Sequence, residues 1–145
     1  MQQRINHPHT NRRAETILIA DDDVGVRDVT RDMLCHLGFH VTAIAGGEQA
    51  ISWLQQHRVD LVILDTMLPG GRDHAETIRR LQQVAPMQRA IVLTDIAESE
   101  RRQPGVNAYL RKPVGLAALA SAVDSALGAP ARGGDRLQYH ARVGS

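Results

Sequence analysis

The chain has 145 residues, with 17 basic side chains against 16 acidic ones and an apolar share of 43%. That length holds one domain of ordinary size, and the balanced charge gives no concentrated basic surface for direct DNA binding. One cysteine excludes an intrachain disulfide and a cysteine-rich zinc site. The N-terminus has no apolar run that would make a signal peptide or a membrane span, so a soluble cytoplasmic protein is expected.

Residues 1–14 are polar and aperiodic and read as a disordered arm. Residues 129–145, rich in Gly, Ala and Arg, read as a flexible tail, which leaves 15–128 as the domain. Within it, short apolar runs at Thr16–Ala20, Val41–Ala45, Leu61–Leu64, Ala90–Leu93 and Ala108–Leu110 suit strands buried on both faces of a parallel sheet. Helical spacing fills the gaps. Val26, Val29, Met33, Leu34 and Leu37 form the first stripe, stopped by Gly38. Cys35 lies on this apolar pattern and is expected to be buried or half-buried. Ala50, Ile51 and Leu54 mark the second stripe, with Trp53 expected to help pack it, and Ala75, Ile78, Leu81 and Val84 mark the third, closed by Pro86. Leu116, Leu119, Ala120, Val123 and Leu127 make the last and clearest, ended by Gly128. The gap from Asp95 to Pro104 offers only Ile96 and Ala97 to a core. Strand–helix alternation of this kind predicts a doubly wound α/β sandwich, whose functional groups collect past the carboxyl ends of the strands.

At those ends stand Asp21-Asp22-Asp23, Asp65, Thr94 and Lys112-Pro113. Asp23 alone is explained as an N-cap of the first helix. Asp21, Asp22 and Asp65 would repel one another in a partly desolvated cleft, and a divalent cation among them relieves that repulsion. Magnesium takes a few carboxylates, a carbonyl and several waters. A carboxylate beside such an ion can attack a phosphoryl group, while a lysine and a hydroxyl steady the transferring oxygens.

The segments ILIADDD, DLVILDTMLPG, IVLTD and YLRKP, in this order from Thr16 to Leu127, resemble the response-regulator receiver domain of two-component signalling. The resemblance implies a flavodoxin-like five-stranded parallel sheet of order 2-1-3-4-5. It makes Asp65 the phosphoacceptor. Asp21, Asp22, Asp65 and the backbone carbonyl of Met67 would be ligands to Mg2+ (or Mn2+), Thr94 the switch hydroxyl and Lys112 the cation that bridges to the phosphoryl group. Tyr109 matches the aromatic switch position, and Pro113 would follow a cis peptide bond. The implied partners are a sensor histidine kinase or a histidine phosphotransfer protein as donor, with a downstream protein target. Output would be protein contact or phosphorelay, without direct DNA or membrane binding and without enzyme activity.

Two departures stand out. The stretch from Thr94 to Lys112 is shorter than the family usually has, so the fourth helix is expected to be cut short. Asp95 replaces the usual small residue after the switch threonine. At about 6 Å and an effective dielectric near 20, its charge would repel a phosphate by roughly 3 kcal/mol before screening, so slow or donor-restricted phosphorylation is expected. In the loop after Asp65, Asp73 is expected to cap the third helix, and His74 is given no role. The histidines are read as surface or packing groups, and the arginine pairs at 79–80 and 101–102 as solvated faces, either of which could touch an acidic partner. The competing class is a degenerate receiver that binds protein without phosphorylation. An aspartyl-phosphate phosphatase is disfavoured because Met67 stands where a second Asp would serve as general acid. A dinucleotide site is disfavoured because the first strand leads into acids, not a Gly-rich turn.

Overall fold

The computed structural model describes residues 15–65, 74–95 and 103–128. The strands are β1 (Thr16–Ala20), β2 (His40–Ile44), β3 (Leu61–Asp65), β4 (Ala90–Thr94) and β5 (Ala108–Arg111). The helices are α1 (Val24–His36), α2 (Gly47–Gln56), α3 (His74–Val84) and α4 (Leu116–Gly128). All strand pairs are parallel, and they form one five-stranded sheet of order β2-β1-β3-β4-β5, the expected fold and strand order. The expected shortened helix after β4 falls on residues 96–102, outside the described residues, as do the expected arm, the tail and the Asp73 cap.

The three middle strands bury both faces, which is why they read as unbroken apolar runs. Side chains of a strand alternate between faces, so each strand feeds two cores. Ile17, Ile19, Leu61, Ile63, Ile91 and Leu93 meet Leu34 of α1 and Leu119 and Val123 of α4. Leu18, Val62, Leu64 and Val92 meet Ala50 and Leu54 of α2 and Ile78 and Leu81 of α3. Each such Leu or Ile contributes roughly 1.5–3 kcal/mol on removal from water. The α2–α3 side gains an ion pair, since Nη1 and Nη2 of Arg80 donate to the two oxygens of the Glu48 carboxylate. Arg80, on the expected solvated face, thus finds an acidic partner and joins two helices.

Local chemistry sets the helix ends. The Asp23 carboxylate accepts from the N–H groups of Gly25 (2.9 Å) and Val26 (3.2 Å), the expected N-cap of α1. At the other end Gly38 takes φ 101°, and the Gly38 and Phe39 N–H groups bond back to the Cys35 and Leu34 carbonyls. This is a Schellman closure, and it needs glycine at the left-handed position. At the opposite edge of the sheet from the strand-end acids, the Asp60 carboxylate accepts from the Thr16 N–H at 2.8 Å, and the Asp60 N–H returns a bond to the Thr16 carbonyl at 2.9 Å. These bonds pin the start of β1 beside the start of β3.

Three packing expectations need correction. Val29 is 57% exposed, because α1 turns Thr30 and Leu34, one helical turn apart, toward the sheet and so carries Val29 to its flank. Cys35 is exposed for the same reason, one step of about 100° past Leu34. Leu116 is also exposed, since the buried row of α4 is Leu119, Val123 and Ala126. The expected strand at Val41–Ala45 lies one residue earlier, at His40–Ile44, where it keeps register with Thr16–Ala20.

Candidate functional site

The carboxyl ends of β1, β3, β4 and β5 bring the expected polar residues together. Asp65 is the last residue of β3 and is buried, as is Asp21 immediately after β1, with relative exposures of 2% and 1%. One carboxylate oxygen from each of Asp21, Asp22 and Asp65 lies within 4.8 Å of the others, with Asp22 exposed to solvent. Lys112 follows β5, and its Nζ stands 2.7 Å from Asp65 Oδ1 and 3.9 Å from Asp21 Oδ2.

Alternation along the strands explains which groups converge. Counting by twos from the core, Asp21 continues the row of Ile17 and Ile19, and Asp65 continues that of Leu61 and Ile63, so both share the α1–α4 side. Thr94 continues the other row, that of Val92, and Tyr109 pairs directly with Val92 in the ladder. Both residues therefore belong to the α2–α3 side. Thr94 is buried, and its carbonyl accepts the Lys112 N–H at 2.8 Å, which links the two sets through the backbone. Tyr109 is buried too, and its Oη accepts the Gln103 N–H at 2.6 Å. The Lys112–Pro113 peptide is cis. Asp95 is exposed and lines a cavity of about 640 Å³ together with Lys112, Pro113, Val29 and Met33. Met67 lies outside the described residues.

Asp21 is held at three of its polar atoms. Its N–H donates to the Ile44 carbonyl (3.1 Å), its carbonyl accepts from Arg27 Nη1 (2.7 Å), and Oδ1 accepts from the Asp23 N–H (3.0 Å). Oδ2 is buried with no hydrogen-bond partner among the described residues. A buried carboxylate oxygen without a donor is costly, and a hard cation is the partner that suits it. The donor set, oxygen only, with two buried carboxylates and one exposed, fits Mg2+ or Mn2+. Burial, with the Asp65 charge adding to it, pushes the Asp21 carboxyl up to about 6, against the lowering pull of the Asp23 N–H and Lys112. Burial pulls the Lys112 ammonium down, but its bond to Asp65 and the charges of Asp65, Asp21 and Asp95 outweigh that and hold it above its usual value.

Several participants escaped the sequence reading. Arg27 was given no role, although a basic residue close to the N-terminal turn of a helix opposes the helix dipole and hints at another use. Gln82 Nε2 donates to the Pro104 carbonyl at 3.0 Å, and with Tyr109 it ties down the chain entering β5. Trp53 packs α2 as expected, and His57 stacks on it with ring centroids 3.9 Å apart.

Comparison with known proteins agrees with this geometry. The family model for the response regulator receiver domain matches residues 17–124. Sporulation initiation phosphotransferase F of Bacillus subtilis is 30% identical over 113 residues, covering 75% of this chain and 90% of that protein. The DNA-binding transcriptional regulator NtrC of Azospirillum brasilense is 33% identical over 118 residues, which is 79% of this chain but 24% of the relative. The chain thus spans about a quarter of NtrC, and 16% of the Sensor protein GacS of Pseudomonas syringae. Among solved structures, the receiver domain of the sensor histidine kinase PA1611 from Pseudomonas aeruginosa, with a magnesium ion in its active-site cleft, superposes with a TM-score of 0.73 at 29% identity. It covers 80% of this chain and 99% of that one. No helix among the described residues is long and apolar enough to cross a membrane. Sheet order, acidic cluster and family match together place the chain in the response regulator receiver domain family of two-component signalling.

Proposed function

We propose that the chain is a phosphorylation switch in which Asp65 accepts a phosphoryl group from a histidine kinase or a histidine phosphotransfer protein. The observation that carries this reading is Lys112 Nζ at 2.7 Å from Asp65 Oδ1, beside a buried Asp21 oxygen with no hydrogen-bond partner. Asp21, Asp22 and Asp65 would hold Mg2+, joined by the Met67 carbonyl as the family resemblance implies. When bound, the ion offsets negative charge on the phosphoryl oxygens and on the carboxylates. The Asp65 carboxylate forms a bond to phosphorus as the phosphorus–nitrogen bond to the donor histidine breaks, and the imidazole leaves with the electron pair. Lys112 neutralises charge on the transferring oxygens. Thr94 donates its hydroxyl to the new phosphate, and Tyr109 carries the change to the surface near β5.

A protein donor suits the surface beside the site. Val24 and Val29 are exposed at 58% and 57% on α1, and Val29 and Met33 wall the adjoining cavity. Exposed apolar groups of this kind serve partner contacts. Output is protein–protein contact or onward relay. Asp95 tunes access, because its charge acts on Lys112 from the cavity wall.

Intact-protein mass spectrometry after incubation with phosphoramidate, with and without Mg2+, tests the proposal. One phosphoryl group is expected, dependent on the metal and missing in Asp65→Asn; Asp95→Ala should take it up several-fold faster. The Asp95 charge also favours a second reading, a degenerate receiver that binds protein without phosphorylation. A wild-type chain that forms no adduct would establish that one instead.

A further inference from the structure

Arg27 holds a place in the site that its distance along the chain conceals. It projects from near the N-terminal turn of α1, and its Nη1 reaches back six residues to the Asp21 carbonyl at 2.7 Å. That carbonyl belongs to the peptide plane that joins Asp21 to Asp22. The other side of Asp21 is already fixed, since its N–H is bonded to the Ile44 carbonyl, and the next residue, Ala45, donates its N–H to Gln49 Oε1 at 2.9 Å. The Asp22 carboxylate is the exposed member of the acidic trio, and no side-chain hydrogen bond among the described residues orients it. Its direction depends on the peptide plane that precedes it.

We propose that Arg27 is a positioning residue for the metal site, turning the Asp21–Asp22 peptide so that both carboxylates face one ion beside Asp65. The inference rests on the metal-dependent reading above. A guanidinium–carbonyl bond is charge-assisted and directional, which suits the task of fixing a plane. Arg27 lines a groove together with Ile44, Ala45 and Trp53, on the same side as its bond to Asp21. Arg27 Nη1 bonds the Asp21 backbone carbonyl, not a carboxylate of the trio. Its action is therefore geometric, through the backbone, rather than by direct attraction to the acids.

Calorimetric titration of the unphosphorylated chain with Mg2+, without any phosphodonor, tests this. Arg27→Met keeps the stem and removes the donors, and it should weaken Mg2+ binding about tenfold, as befits one lost hydrogen bond of a charged group. Arg27→Lys restores a cationic donor and should recover more than half of the loss on a logarithmic scale. The melting temperature of metal-free Arg27→Met should stay within about 4 °C of the parent. If Arg27→Met fails to fold, Arg27→Leu, also without a donor, takes its place with the same expectation. Equal Mg2+ affinity in the parent and the donor-free variant overturns the inference, as does a lysine variant no better than methionine. A parent chain that binds no Mg2+ overturns the site reading as well, so the two failures are told apart.

Discussion

The two faces of the sheet treat their functional residues differently. On the α1–α4 side, Asp21 is bonded at N–H, carbonyl and Oδ1, and Lys112 is paired with Asp65. On the α2–α3 side, Tyr109 is bonded to the Gln103 amide, and the neighbouring Pro104 carbonyl is held by Gln82. The first set is built into strand ends and a capped helix turn. The second ties down a connecting segment through hydrogen bonds at Gln103 and Pro104, each worth about 1 kcal/mol net. A chemical site benefits from groups fixed before the substrate arrives, whereas a readout must be movable by the modest free energy that one new phosphate contact supplies.

The difference can be broken or sharpened by substitution. The largest effect is expected at the rigid face. Lys112→Met removes the ammonium bonded to Asp65, and its initial rate of phosphorylation by phosphoramidate should fall about 10²–10³-fold. A variant as fast as the parent would mean that the fixed groups are not the chemical ones. An intermediate effect comes from pH. Asp21 is pushed from 3.8 up to about 6 in the fold, so between about pH 4 and 6 the metal-free folded chain holds a proton that the unfolded chain has released. Its contribution to metal-free stability therefore declines as pH rises through that window. Metal binding needs the ionised form, so Mg2+ affinity measured calorimetrically should rise about tenfold from pH 5 to pH 7. A flat profile would show that Asp21 does not ligate. The smallest effect is expected at the movable face. Tyr109→Phe removes the acceptor of the Gln103 N–H, and thermal unfolding should shift down by about 2–4 °C, with Mg2+ affinity within twofold of the parent. A large loss of metal binding in that variant would erase the distinction between the faces.

Much of this was legible in the order of residues. The strands declared themselves because a sheet covered on both sides must be apolar at successive positions, and Asp65 and Thr94 were conspicuous as polar groups at the ends of such runs. The Asp23 cap followed from residue type and place alone. What escaped depends on helix rotation and on side-chain reach. Val29, Cys35 and Leu116 sit near the margins of apolar stripes, where a shift of one residue changes burial. Arg27, Gln82 and Arg80 act on partners 6, 22 and 32 residues away, which no local period encodes.

The sheet order also bears on how the chain reaches its final form. β1 and β3 are neighbours, yet the bonded pair Thr16 and Asp60 is separated by 44 residues, with α1, β2 and α2 between. Parallel pairing of such distant segments closes a long loop before it is rewarded, a step that slows folding. Asp21 and Asp65 meet only once that central pairing is complete. A divalent ion bound by them would then recognise finished chains and ignore unfinished ones, drawing the population toward the folded form by mass action. Metal concentration would then act as a gauge of maturation as well as of the proposed chemistry.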